Sequence, residues 1–420
     1  MFPRRAFLDF QGRRLQGARP FAVFETTDGA WTWTIEDATS STRTAFQSGN
    51  GEVLHELQRA IDSCKNRYPN GGAIGFFSYE FARQIEPRAF VESKPNELKI
   101  PDARWVFYEE IVEEAPPVET RFIASQNLES SNADFARDNS QSKTQNPKLA
   151  HHRAIAQIFD FITCGDIYQA NYTQRFSRPL PCSPFELYER LRAQNPSPFA
   201  AFLEYDDFFI VSNSPEKFLS LKDRVLEAQP IKGTIARGKN AQEDDELKLQ
   251  LQQSVKDRAE NVMIVDLLRN DLGRVCEFGS VHVPSLFEVQ TFANLHHLVS
   301  TVRGNLRADC DATDAIRAAF PCGSITGAPK IRAMQILDEL ENVRRGVAMG
   351  SIGLLRFKGD MELNVAIRTV TCVQNRAYFH VGGGIVADSI CDEEFAEMGL
   401  KARAIENALS NGPKCERRVK

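Results

Sequence analysis

The stretch Glu227-Ala228-Gln229-Pro230-Ile231-Lys232-Gly233-Thr234-Ile235-Ala236-Arg237-Gly238 sets one ammonium group between a proline that fixes the backbone and a glycine that lets another group approach closely. It reads as a strand running into a turn, and an isolated Pro-x-Lys-Gly of this kind is most simply a solvated lysine on a hairpin. What sets Lys232 apart is its company downstream. There, carboxylates and glycines recur at spacings that suit an anionic ligand and a metal.

Working outward toward the C-terminus, the spacing predicts one helix from about Asp244 to Leu272. Apolar residues after Asn261 (Val262, Met263, Ile264, Val265, Leu267, Leu268) fall on almost every side, so the helix is expected to be largely buried. Asp257 and Glu260 stand on it at i, i+3 and therefore share a face. A second helix, about Asp392 to Leu409, has an apolar stripe of Phe395, Met398, Ala402, Ile405 and Leu409. Glu394 and Glu397 flank it, again at i, i+3, with Lys401 one turn further on. Carboxylates at a buried interface repel each other and lose hydration unless a cation compensates. Two such pairs on facing helices suit Mg²⁺, a hard ion that takes oxygen ligands. Two solvated acidic faces are the commoner outcome when either helix is taken alone.

Between the helices lies Asn294-Leu295-His296-His297-Leu298-Val299-Ser300, followed by the small-residue loop Phe320-Pro321-Cys322-Gly323-Ser324-Ile325-Thr326-Gly327-Ala328-Pro329-Lys330. The loop opens a helix, where backbone N–H groups can hold a carboxylate, and it lacks the Walker pattern of phosphate-binding loops. Arg368 ends a further apolar strand. Gly382-Gly383-Gly384 follows Val381, and a glycine triplet alone is more often a turn than a site.

Upstream of Lys232, Phe199 to Tyr205 and Phe208 to Ser212 read as paired strands leading into Asn213-Ser214-Pro215-Glu216. There an acid stands at a strand end, and its bland role is to stabilise a turn. His151 to Cys164 has helical spacing, and Asp166 to Phe176, which includes Gln169, reads as a strand. Residues 124–148 lose nearly all large apolar side chains and are expected to form a flexible linker. It separates an N-terminal region, 1–123, from a second domain, 149–408, with a tail at 409–420, and both halves are expected to share sheets, so that the linker marks an excursion more than a domain border. In the first region Phe21-Ala22-Val23-Phe24 and Trp31-Thr32-Trp33-Thr34-Ile35 form an expected hairpin, with further strands at Ala73 to Tyr79 and Trp105 to Tyr108.

At 420 residues and 42% hydrophobic content the chain can bury a large core. A formal net charge of -5 leaves no electrostatic footprint for nucleic acid, and no basic run points to a membrane surface. The nine cysteines are odd in number, scattered and never in a C-x-x-C pair, as expected of reduced thiols in the cytoplasm without zinc or disulfides. Met1 to Asp9 lacks the apolar core of a secretory signal.

In order, PIKGT, AENVMIVDLLRNDLGRV, HHLVS, PCGSITGAPK, RRGVAMGSIG, IRT, GGGIVADS and E-x-x-E-x-x-x-K-A-R resemble the motifs of the chorismate-utilising enzymes. The resemblance covers about residues 150 to 408, and Gly71 to Glu80 resembles an N-terminal part found in only some members. It implies an α+β fold of two stacked, mainly antiparallel β-sheets flanked by helices, whereas the residue pattern by itself supports only mixed α and β. Members that form anthranilate carry alanine at the position of Lys232, and water-adding members carry a lysine base at the position of Gln169.

The resemblance therefore implies Mg²⁺-dependent amination of chorismate at C4, giving 4-amino-4-deoxychorismate for p-aminobenzoate and folate. An anthranilate synthase is the alternative. Lys232 matches the nucleophile, which has to be neutral; burial, Mg²⁺ or Arg237 are candidate causes of a depressed pKa. Glu216 matches the general acid and His297 a histidine beside the ring. Ser324, Thr326, Arg368, Gly382, Gly383, Gly384 and Lys401 match substrate-binding positions. Glu260 and Glu397 match direct Mg²⁺ ligands, with Asp257 and Glu394 acting through water. Ala348 departs from the aromatic residue usual in relatives. The chain has no glutaminase signature, so ammonia is expected from a glutamine amidotransferase subunit. A lysine Schiff-base or pyridoxal enzyme and a non-catalytic ligand-binding module also account for an essential lysine. The first leaves the carboxylate pairs unexplained, and turnover of chorismate separates out the second.

Overall fold

The structure is a computed structural model that describes residues 5–36, 43–50, 52–114, 146–292 and 294–410. Its strands in chain order are β1 (Arg5–Phe10), β2 (Arg13–Thr27), β3 (Ala30–Glu36), β4 (Arg43–Asn50), β5 (Gly72–Phe77), β6 (Ala103–Glu114), β7 (Gln169–Pro179), β8 (Phe199–Glu204), β9 (Phe209–Ser214) and β10 (Lys217–Lys222). They continue as β11 (Val225–Gln229), β12 (Ile231–Ala236), β13 (His282–Thr291), β14 (Leu295–Asn305), β15 (Gly327–Ala328), β16 (Ser351–Arg356), β17 (Met361–Asn364), β18 (Thr369–Val373) and β19 (Arg376–Ile385). The helices are α1 (Val53–Lys65), α2 (Ala82–Ile85), α3 (Pro147–Thr163), α4 (Pro184–Gln194), α5 (Ala241–Gln253), α6 (Val255–Gly273), α7 (Ala312–Ala319), α8 (Lys330–Leu340) and α9 (Cys391–Ser410).

Every strand pairing is antiparallel. Followed from neighbour to neighbour, the ladder runs β15, β7, β19, β18, β9, β8, β1, β2, β6, β5, β16, β17, β10, β11, β14, β13. The hairpin of β3 and β4 hangs on the far half of β2, and β12 follows β11 along the same edge of β14. A tight turn joins β1 to β2, with Gln11 and Gly12 both left-handed (φ 50 and 76), the backbone that two-residue hairpins favour.

The ladder folds back on itself, and side-chain parity shows how. Leu8, Phe10, Ala201, Leu203 and Ile210 from one half share an apolar cluster with Ile74, Phe76, Val106, Ile352 and Leu354 from the other. Their sequence neighbours point the opposite way, as strands require. Phe7, Phe202 and Val211 pack with residues of α4 and α9, while Phe77, Trp105, Phe107 and Leu355 pack with residues of α1, α6 and α7. Two stacked layers with helices outside are therefore present, joined through β1 and β2 into one continuous ladder.

The elements differ from expectation in several places. The helix expected from Asp244 to Leu272 is two helices, because Ser254 breaks it at ψ 114 and caps α6 by accepting a hydrogen bond from Asp257 N at 3.3 Å. Nor is α6 buried all round. Val262 is 45% exposed, and Asn261, Ile264, Val265, Leu268 and Leu272 form its inner face. Asn146 caps α3 and Pro147 opens it, so the last residues of the expected linker are helical; residues 124–145 lie outside the described ones. As expected, the two halves share sheets: N-terminal strands pair directly with C-terminal ones, β1 with β8 and β5 with β16.

Leu8 is fully buried between the layers. Leu8→Ala should cost about 2–5 kcal/mol through the cavity it leaves. Urea unfolding followed by circular dichroism checks this through a lower midpoint at unchanged slope.

Candidate active site

Pro230 separates β11 from β12, and one residue later the register slips. Ile231 stands opposite Val299 and Thr234 opposite His297, so Lys232 and Gly233 together face only Leu298. This is a β-bulge, a device that re-aims a side chain. Gly233 makes it possible, with φ +89 and so little room that an added Cβ would lie 2.9 Å from Asp257 Cβ. Lys232 is thus inside a bulged strand, and the reading of the isolated stretch as a solvated lysine on a hairpin does not hold.

The bulge aims Lys232 into a cavity of about 720 Å³. Glu216, His297, Ser324, Arg368, Gly382 and Gly384 also line it, as do Asp257, Glu260, Glu394, Glu397 and Lys401. The glycine triplet runs straight through β19. A Cβ on Gly382 would lie 1.8 Å from Tyr172 O, and one on Gly384 would lie 2.6 Å from Gln169 Nε2 and 3.5 Å from Lys232 Nζ. On the other face of the strand, Gly383 looks toward Glu394 and Lys401. Gly382 and Gly384 line the cavity, and the missing side chain of Gly384 leaves room for Gln169 and the Lys232 ammonium group.

Burial tunes the titrating groups. Glu216 is 4% exposed and its Oε1 has no hydrogen-bond partner. Desolvation raises its pKa to about 7, against the pull of Ser324, Lys232 and the Ile231 N–H. Lys232 is lowered by burial first and by the Lys401 charge, while Glu260 and Glu216 resist. Arg237, a candidate for that lowering, is instead bonded to Asp244 at 2.7 Å. His297 is held neutral at about 4 by burial and by the charge of Arg368, and its Nδ1 sits 2.8 Å from Thr234 Oγ1.

Arg368 brings a buried guanidinium to the cavity wall. Among the described residues it makes no side-chain hydrogen bond or ion pair, and burial lowers its pKa. It stands before β18, in the left-handed region at φ 50, and not at the end of a strand as expected. An unpaired guanidinium facing a cavity is suited to a carboxylate.

The acids gather as the helix spacing predicts. Glu260 is raised by burial, and Asp257 and Glu394 add to this by like charge, against Lys232 and Lys256. Glu397 is lowered, because Lys401, Lys256 and Lys232 outweigh its burial; Lys401 Nζ lies 2.7 Å from it and 3.0 Å from Gly382 O. Among the described residues no three His, Cys, Asp or Glu side chains converge on one metal-binding point. The donor set is nevertheless hard oxygen throughout, and the repulsion felt at Glu260 is of the kind a divalent cation relieves.

Thr326 is not brought to the cavity wall. It is fully buried, and its hydroxyl donates to Cys322 O and Gly323 O within the loop. Two titratable lining residues, Lys256 and His380, escaped the sequence reading. Lys256 precedes Asp257 on the first turn of α6, and His380 precedes Gly382 by two, so strand parity places it on the same face. A larger concavity, about 850 Å³, lies at the turns between β1 and β2, β10 and β11, and β16 and β17. Its cations meet acids, Arg13 with Glu362 and both Lys217 and Arg303 with Glu227, and it contains none of the predicted site residues.

The chain belongs to the chorismate binding enzyme family, which matches it over residues 11–407. Among its relatives, aminodeoxychorismate synthase component 1 of Bacillus subtilis (strain 168) is 35% identical over 94% of this chain and 88% of its own. Anthranilate synthase component 1 of Bacillus caldotenax is 33% identical over 94% of this chain and 85% of its own. Anthranilate synthase component I from Streptococcus pneumoniae TIGR4 has a similar solved structure, with TM-score 0.75 and 29% identity over 94% of this chain and 92% of that one.

The pKa of Glu216 has a consequence for stability. Because it lies above the unfolded carboxyl value, Glu216 binds its proton more tightly when folded; this stabilisation is complete below about pH 4.5 and is lost as pH rises through about 7. Glu216→Gln should therefore raise the melting temperature at pH 8 by roughly a few degrees more than at pH 5. Differential scanning calorimetry at both pH values checks it.

Proposed function

We propose that the chain aminates chorismate at C4, forming 4-amino-4-deoxychorismate from chorismate and ammonia, as the names of its aminodeoxychorismate synthase relatives suggest. Lys232 carries this reading. Its bulge points an amine with a depressed pKa into the cavity beside Gly384, near a carboxyl group whose pKa is raised to about 7.

The chemistry follows from those two groups. Neutral Lys232 bonds to ring carbon C2, the diene electrons shift, and the C4–O bond breaks; the hydroxyl departs as water with the proton of Glu216. Ammonia then bonds to C4, the electrons return, and the C2–Nζ bond breaks to restore the lysine. The new ammonium group passes its surplus proton to the Glu216 carboxylate. One difficult displacement becomes two easier ones. Arg368, Lys401 and the N–H groups near Ser324 hold the substrate carboxylates, and neutral His297 lies beside the ring.

Glu260 and Glu397 would hold Mg²⁺ directly, with Asp257 and Glu394 behind them through water. When bound, the ion supplies positive charge against a substrate carboxylate. Ammonia comes from a glutamine amidotransferase partner, a reading supported by the words "component 1" in the relatives' names. The chain's own cysteines fit this. Burial pushes the Cys322 thiol up to about 12, far from a nucleophilic thiolate. We place the enzyme in the cytoplasm, and no described helix is long and apolar enough to cross a membrane.

Chorismate, ammonium and Mg²⁺ supplied to the purified chain should yield a product that keeps the enolpyruvyl group, and glutamine in place of ammonium should yield none. A product that has lost that group would make the chain an anthranilate synthase. Without ammonia, rapid quench and intact-protein mass spectrometry should find an adduct of chorismate less one water on the peptide containing Lys232. Lys232→Ala should abolish it along with most turnover. Glu260→Gln and Glu397→Gln should each cut turnover by roughly 100-fold, and excess chelator should match them. Full activity in chelator would remove Mg²⁺ from this account.

A further inference from the structure

His380 lines the cavity on the same face of β19 as Gly382 and Gly384, yet the mechanism above does not use it. It is 5% exposed, and neither ring nitrogen makes a hydrogen bond. The Arg344 carbonyl faces the ring without reaching hydrogen-bond geometry. Burial and the charges of Arg175 and Arg345 hold the imidazole well below its usual pKa. It is therefore neutral, with one nitrogen free to accept and the other free to donate.

Directly across the ladder from His380 stands Arg175, on the same face of the neighbouring strand. Arg175 lines a second, much smaller chamber of about 20 Å³, room for one water-sized molecule. The charged groups of its wall come from every element around it. Glu80 belongs to the turn after β5, Glu97 and Asp102 to the segment before β6, Arg175 to β7 and Arg344 to the loop after α8. Arg175 is paired with Glu97, Arg344 lies 3.8 Å from Asp102, and Glu80 accepts the N–H groups of Arg345 and Gly346. Three carboxyl groups face two guanidinium groups, a wall with no attraction for an anion. Inside it Ser78 is 2% exposed, and its hydroxyl has no partner. The paired residues Arg175 and His380 thus stand one in the lining of each space, and each space holds a buried polar group without a partner, Ser78 in the small chamber and His380 in the large cavity.

We propose that ammonia reaches the substrate through this chamber, hydrogen-bonded first to the Ser78 hydroxyl and then to the free ring nitrogen of His380. The carboxyl groups favour ammonium at the outer wall, whereas desolvation beside Arg175 and Arg345 penalises the charged form further in. Neutral ammonia passes, and its proton stays with solvent. His380 is a positioning residue for the second substrate, and this role rests on the amination reading above.

The test is steady-state kinetics of the full chain with chorismate, Mg²⁺ and titrated ammonium. Losing one such hydrogen bond in His380→Phe, or filling the chamber in Ser78→Val, should raise KM for ammonium about tenfold while kcat and KM for chorismate stay within about twofold. His380→Gln keeps an acceptor and should stay near wild type. Melting temperatures close to wild type exclude misfolding as the cause. If either His380→Phe or Ser78→Val leaves KM for ammonium within about twofold, or weakens chorismate equally, the route is wrong and the chamber holds water only. If the unmodified chain does not turn over chorismate, the amination reading falls and this inference falls with it.

Discussion

One extra residue in one strand organises the site. Had β12 kept register with β14, Lys232 would alternate with its neighbours like any strand residue. The bulge opposite Leu298 sets Lys232 and Gly233 against a single partner and turns the lysine toward the cavity. The same glycine leaves no room for a Cβ against Asp257, so the bulge also fixes how closely α6 and its acid pair approach the lysine. Placement of the lysine and placement of the acid pair are one constraint.

Electrostatics in the cavity follow from that spacing. Lys232 lies close enough to Glu216 and Glu260 for both to oppose its loss of a proton, yet burial wins and its pKa falls. The same burial keeps Glu216 protonated near neutral pH. A lysine pushed toward its neutral form beside a carboxyl pushed toward its protonated form is the pairing that the proposed attack at one ring carbon and departure at another would use. Water filling the cavity would screen both groups back toward their ordinary values, so the tuning depends on the enclosing strands.

Much of this was legible in the sequence, and the limits are physical. Two acid pairs at i, i+3 reveal their shared face without any tertiary knowledge, because helical period is local. The split at Ser254 was legible too: serine three residues before Asp257 is a capping signal, but it is outweighed when an apolar run is counted alone. Register, by contrast, is not local. Nothing within Pro230 to Thr234 states that residues opposite them on β14 number one fewer. Only the pairing partner, over sixty residues away in sequence, shows the bulge. The same holds for Gly382 to Gly384, whose composition signals a turn until Tyr172 and Gln169 on β7 are seen to occupy the space of the missing side chains. Thr326 looked like a ligand-binding hydroxyl because small polar residues in a loop are ambiguous, and its own loop carbonyls claim it.

The ladder explains why the site needs the whole chain. Its two ends lie far apart along the hydrogen-bonded order, β15, β7 and β19 at one and β12, β14 and β13 at the other, and yet Gly384 of one end lies beside Lys232 of the other. They meet only because the ladder folds back through β1 and β2, which the N-terminal residues supply. Arg345 locks the near end. Fully enclosed, it donates to both oxygens of Glu341, to Ile325 O of the ligand loop and to Asn171 O of β7, while Glu341 accepts from Thr173. Removing one partner of such a network leaves a charge buried without compensation, so the arrangement tolerates little intermediate motion. In the proposed reaction the lysine bonds and unbonds at one carbon, and a rigid opposite wall would hold the ring against it in both steps.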